Sequence, residues 1–186
     1  MRKAILMLSI LLLSFVSAES FPNQNSNSGF VGWSYYDTEA FDFRISYPSV
    51  EDGEDSNMAR NGPFAIVVFI VDDGESIDQY EWLQTGLSKY GYITLVVDDR
   101  LESWSDVQGT LEKMNNGTLD FILDSLGMFS LEHVSVSGHG TGGLMAAEFY
   151  KSSDYQIDGL FALGLDGSDQ IMILLICLVG LHQHYS

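Results

Sequence analysis

The chain has 186 residues, 46% of them apolar, with 26 acidic against 8 basic side chains and a formal net charge of −18 at pH 7. Such a surface repels nucleic acid and anionic membranes; it suits solubility in a salty medium, where screening shortens self-repulsion. A single cysteine, Cys177, excludes an intrachain disulfide and a thiolate metal cluster.

Arg2 and Lys3 precede an apolar run from Ala4 to Val16, and Val16-Ser17-Ala18 offers small residues for cleavage before Glu19. Residues 1–18 are therefore expected to be a signal peptide, and the mature protein to be secreted, periplasmic or otherwise extracytoplasmic. The run is short of the about 20 residues that a bilayer span needs, so no stable membrane span is expected after cleavage. Residues 19–29 read as a flexible lead-in, 30–167 as one domain, and 168–186 as an atypical apolar tail.

Phe41, Phe43, Ile45 and Tyr47 alternate with Asp42, Arg44 and Ser46. That period of two predicts a half-buried strand ending at Pro48, with Trp33 to Tyr36 as its hairpin partner. The run Glu51-Asp52-Gly53-Glu54-Asp55 lacks the spacing of a calcium loop and reads as a solvated loop. Phe64 to Val71 is continuously apolar and rich in Val and Ile, as strands buried on both faces of a parallel sheet are. Ser76, with Gln79 three residues on, marks a helix start; Tyr80, Leu83, Leu87 and Tyr90 follow at helical spacing until Gly91.

Ile93 to Val97 is the next buried strand. Val107, Leu111, Met114, Phe121, Ile122 and Leu126 mark a second helical stretch, with an interruption at Asn116-Gly117. Val134 to Ser137 predicts a strand, Leu144 to Tyr150 a helix and Leu160 to Leu165 a further strand. A hairpin followed by alternating strand and helix argues for a mainly parallel sheet with helices on both faces. Only Gly167 to Gln170 separate the last strand from the apolar run Ile171 to Leu181, too few for a parallel crossover. An antiparallel return, a buried cap and an out-of-frame ending remain open for that run.

Residues 138–143, Gly-His-Gly-Thr-Gly-Gly, join a strand to a helix. They have the form of the nucleophile elbow G-x-S-x-G, with Gly140 where the serine belongs. Gly138, His139, Gly142 and Gly143 complete the elbow. Other segments carry the same likeness: Arg44-Ile45-Ser46-Tyr47-Pro48, Gly62-Pro63-Phe64, Leu87 to Tyr92, and Ala162-Leu163-Gly164-Leu165-Asp166. In this order they resemble the α/β-hydrolase superfamily, and within it dienelactone hydrolases, platelet-activating-factor acetylhydrolases and chlorophyllases.

The resemblance implies an α/β-hydrolase-like fold, incomplete at its C-terminus, and a carboxylic-ester hydrolase acting through an acyl-enzyme without cofactor or metal. It implies Gly140 as a degenerate nucleophile position, Asp166 as candidate triad acid, and an oxyanion hole around Asp72, Asp73, Gly74 and Thr141. The family's base follows the last strands and has no counterpart here. His182 and His184 lie on the tail, His139 fits the family's structural elbow histidine, and His133 precedes its strand. Ser137 and Thr141 flank the apex but are expected to point away from it.

Ester hydrolysis needs a nucleophile, a base, an orienting acid and donors for the oxyanion. The first two are missing, and Asp72 and Asp73 either oppose a developing negative charge, point to solvent or cap a helix start. The expectation is an inactive esterase-like protein whose ligand, if any, is a small ester-like molecule. An alternative uses the same glycines: Gly138, Gly140 and Gly143 also satisfy the dinucleotide fingerprint G-x-G-x-x-G, with Ala147 at a packing position and Asp166 where a ribose-binding acid would lie.

Overall fold

In a computed structural model the described residues are 29–117, 128–152, 157–164 and 173–176. They form one mixed sheet of eight strands: β1 Phe30–Asp37, β2 Asp42–Ser49, β3 Gly53–Glu54, β4 Phe64–Ile70, β5 Tyr92–Val97, β6 Phe129–His139, β7 Gly159–Leu163 and β8 Ile173–Ile176. The spatial order is β3-β1-β2-β5-β4-β6-β7-β8. β1, β2 and β5 are joined antiparallel, whereas β5, β4, β6 and β7 lie side by side and parallel, as their Val- and Ile-rich runs predict. Three helices accompany them: α1 Glu81–Lys89, α2 Trp104–Asn115 and α3 Gly140–Ser152.

Helices lie on both faces of the mixed sheet, as the alternation of strand and helix predicts. One face, bearing Ile66, Val68, Ile70, Ile93, Leu95 and Val136, packs against Val107, Leu111 and Met114 of α2 and Ala146 and Phe149 of α3. The other carries Phe69, Val71 and Val96 under Ile77, Tyr80 and Leu83. Alternate residues of each parallel strand feed opposite faces, which is why those strands are apolar throughout.

Several expectations change in detail. β2 is buried on both faces, not half-buried: α1 covers its polar side, where Arg44 is 3% exposed and lies against the rings of Trp33 and Tyr35. The acidic segment is no simple solvated loop. Gly53–Glu54 pairs with β1, the Asp52 carboxylate accepts from the Val31 N–H, and that of Asp55 accepts from the Ser34 hydroxyl.

Ser76 caps a 3-10 turn over Ile77–Tyr80, and α1 follows at Glu81. α2 ends at Asn115, with Gly117 in the left-handed region at φ 72°; residues 118–127 lie outside the described ones. β6 begins at Phe129, so His133 sits within that strand at a register shift and pairs with Asp158 at 2.9 Å. In the apolar tail, Ile173–Ile176 pairs antiparallel with β7, which selects the antiparallel return for those four residues.

Candidate functional site

β6 runs through His139 and α3 begins at the next residue, so Gly140 sits at a sharp strand-to-helix turn, as the sequence predicts. The helix starts four residues before the expected Leu144. Gly140 has φ 51°, a left-handed conformation that suits glycine. Gly142 has a different reason for lacking a side chain: a Cβ there would run into the carbonyl oxygens of Ile70 and Val71. Gly138 is the second-last residue of β6, and Gly142 and Gly143 are buried in the first turn of α3. The elbow thus lies directly on the end of β4.

That contact brings in the residue that dominates the site. Asp72 follows β4 and reaches across to the elbow. A Cβ placed on Gly140 would overlap the Asp72 carboxylate itself, both oxygens and the carbon between them. The carboxylate stands where the first atom of any side chain at position 140 would be. Its Oδ1 accepts three hydrogen bonds: from the Thr141 N–H at 2.8 Å, the Thr141 hydroxyl at 2.8 Å and the Asp73 N–H at 2.9 Å. The Asp73 N–H also lies 2.9 Å from the Thr141 hydroxyl oxygen.

Burial by itself pushes the Asp72 carboxyl up, but the hydrogen bonds from Thr141 and Asp73 outweigh it and hold the group below the ordinary carboxylate range. Asp72 is therefore an anion at neutral pH, at the start of α3 where the helix dipole favours negative charge. Its hydrogen bond from the Thr141 N–H caps the start of α3.

The other donors of this corner are also committed. The Gly74 N–H donates to Asp99 at 2.9 Å. The Tyr80 hydroxyl lies 3.4 Å from the Asp72 N–H, which donates to it, and 2.9 Å from Nδ1 of His139. Burial first raises the Tyr80 phenol above its usual value, so it serves as a neutral bridge. His139 is held by this bridge and packs edge-on against Tyr80. Ser137 is 2% exposed and its hydroxyl donates to the Val68 carbonyl at 2.9 Å. Thr141 spends its hydroxyl on Asp72. Asp166, His182 and His184 lie outside the described residues.

Sequence reasoning placed Asp72 near an oxyanion hole but missed that its carboxylate fills the elbow. The available signal was the pair of carboxylates after β4 beside an elbow without a side chain. A pyrophosphate at the start of α3, as the dinucleotide alternative requires, would meet the Asp72 carboxylate.

Beside the Asp72–Ser76 loop opens a cavity of about 610 Å³, walled by Tyr35, Tyr36 and Phe43 and rimmed by Asp37, Asp78 and Asp99. The Tyr35 hydroxyl donates to Asp78 at 2.7 Å. Arg100 bridges Asp42 and Asp98 on the same rim. The cavity lies at the C-terminal ends of the parallel strands, where open α/β sheets bind their ligands, and its carboxylates disfavour anionic ones.

No family model and no curated protein matches this chain. Among solved structures it is similar to a ferulic acid esterase from Streptomyces cinnamoneus, at 16% identity and a TM-score of 0.48, covering 69% of this chain and 57% of that one. It is similar to a bacterial heroin esterase at 14% identity and a TM-score of 0.48, covering 87% and 50%. A thioesterase domain from the curacin biosynthetic pathway matches at 13% identity and a TM-score of 0.40, covering 72% and 46%. The chain spans about half the length of these structures.

Proposed function

We propose that this chain is an exported protein of the α/β-hydrolase superfamily, esterase-like in frame, that does not itself cleave esters. One observation carries the reading. The Asp72 carboxylate occupies the space of the missing side chain at Gly140 and takes the N–H groups of Thr141 and Asp73. In a serine hydrolase with this elbow, the N–H after the nucleophile and one from the loop after the neighbouring strand receive the oxyanion. Here an internal anion already holds both. A substrate carbonyl finds neither an attacking oxygen nor a free donor, and a second negative charge at that point is repelled. The export signal of residues 1–18, the inherited acid at Asp166 and a small ester-like molecule as ligand belong to the same proposal.

The test is turnover of p-nitrophenyl acetate and butyrate by the purified protein, with a fluorophosphonate probe for an activated serine. The expected result is hydrolysis no faster than in buffer and no labelling. Stoichiometric labelling that abolishes turnover would overturn the reading and point to a nucleophile other than position 140.

A further inference from the structure

The cavity of about 610 Å³ beside the Asp72–Ser76 loop has two kinds of wall. One is aromatic. Tyr35 and Tyr36 lie near the end of β1, and Phe43 stacks on Tyr36 across the hairpin, with ring centres 4.9 Å apart. The other is acidic. Asp37 and Asp42 face each other at the end of the same hairpin, Asp98 and Asp99 follow β5, and Glu75 and Asp78 come from the segment after β4. Arg100 is shared between Asp42 and Asp98, which leaves the rim strongly negative. The crowding shows at Asp37. Its hydrogen bond with Asp42, and then the charge of that neighbour, raise its carboxyl above the ordinary value.

Two observations decide which kind of cation suits this cavity. The carboxylates are spread around it, and among the described residues no three acidic, histidine or cysteine side chains gather closely enough to hold a metal ion. A compact, strongly hydrated cation needs such a set of oxygens; a large, weakly hydrated one does not. The aromatic wall, moreover, already carries a cation. The Arg44 guanidinium lies 5.4 Å from the Tyr35 ring centre and 5.3 Å from that of Trp33, and Glu81 answers its charge at 3.5 Å. Tyr35 is still 51% exposed, so the ring has area left for a second cation, and Asp78 fixes its hydroxyl at 2.7 Å. Ring faces attract alkylammonium groups through their quadrupole, and the volume is that of a small-molecule site.

We propose that this cavity binds a small organic ammonium ion, its charged head against the Tyr35 and Tyr36 rings and in the field of Asp37 and Asp78. Binding uses no residue of the elbow, so it is independent of ester cleavage.

The test is calorimetric titration of the full chain with choline at about 0.15 M salt, where attraction by distant surface charges is screened. The comparison ligands are the neutral analogue of choline with carbon in place of the charged nitrogen, phosphocholine, and calcium. Choline binds about tenfold or more tightly than the neutral analogue. Phosphocholine binds more weakly than choline, because the rim repels its phosphate, which sets a free ammonium ion apart from a lipid headgroup. Asp37→Asn and Asp78→Asn each weaken choline binding about threefold or more. Tyr35→Leu does so to a similar degree, and Tyr35→Phe, which keeps the ring, retains binding. A purely acidic patch gives the opposite result for Tyr35→Leu, since loss of the hydroxyl only releases the Asp78 carboxylate. Glu112→Gln, an exposed site on α2, leaves binding unchanged. The substituted positions are all exposed, and circular dichroism checks that each variant is folded.

Four results overturn the proposal: equal binding of the neutral analogue, calcium binding more tightly than choline, phosphocholine binding as tightly as choline, or a folded Tyr35→Leu variant that binds choline as well as the parent.

Discussion

The two faces of the sheet are built from different chemistry. Against α2 and α3 the buried side chains are chiefly Phe, Ile, Leu, Val and Met, joined by Ala, Tyr47 and Trp104, with Phe64, Val68 and Val136 fully enclosed. Against α1 the buried set includes Arg44, Ser46, Gln84, Ser88 and Thr94. Few protein partners meet their polar atoms: the Gln84 amide donates to the Arg44 carbonyl at 2.9 Å, and Arg44 approaches Glu81 at 3.5 Å. The hydroxyls of Ser46, Ser88 and Thr94 find no acceptor or donor among the described residues. A dry face draws its stability from contact area and close packing; a polar one gives much of that back, because each buried unpaired group costs free energy. The fold is therefore held chiefly from the α2 and α3 side. The elbow stands between, tied to that side through α3 and to the other through Tyr80.

The sharpest way to break this contrast is a cavity on the dry face. Leu111→Ala should cost about 2–5 kcal/mol, since Leu111 is 1% exposed within the main core. A loss below about 1 kcal/mol in urea unfolding would mean that α2 is not a principal support.

The elbow comes next. Gly140→Ser alone puts a side chain at a left-handed φ and into the Asp72 carboxylate, and should cost about 2 kcal/mol or more. Asp72→Gly alone removes the helix cap and should cost about 1–2 kcal/mol. The double variant should be less destabilised than the sum by about 0.5–3 kcal/mol, because the carboxylate that clashes is gone. Strict additivity in the cycle would place Asp72 away from Gly140. The double variant should still lack esterase activity, having a serine but no base positioned beside it among the described residues.

Acid titration gives a smaller effect of definite sign. The Asp72 carboxyl lies below its ordinary value in the folded protein. Its contribution is complete above about pH 4, near the unfolded carboxylate pKa, and is lost as pH falls through the lowered native value. Asp72→Asn should flatten this part of the stability profile; an unchanged acid limb would remove Asp72 from the account.

The smallest effect belongs to the polar face. Thr94 is fully buried and its hydroxyl has no partner among the described residues. Thr94→Val should leave stability unchanged or raise it by about 1 kcal/mol, measured by thermal unfolding. A loss of that size would show the hydroxyl to be well satisfied and the face less costly than its side chains suggest.

Some of this was present in the order of residues alone. Runs such as Phe64 to Ile70 and Ile93 to Val97 specify parallel strands, since only a strand covered on both sides is apolar at every position. The glycines from 138 to 143 specify a tight strand-to-helix turn, because few other residues tolerate its dihedrals and its closeness to β4. Local periodicity misjudged the other side of β2: Arg44 and Ser46 look solvent-facing from alternation, and only the docking of α1 buries them.

The site shows the same division. Sequence determined that position 140 has no reactive atom. Only the tertiary structure decided what stands in its place, because Asp72 and Thr141 lie 69 residues apart and meet through the pairing of β4 with β6. Hydrogen-bond geometry and desolvation at that junction depend on distances that no local pattern encodes.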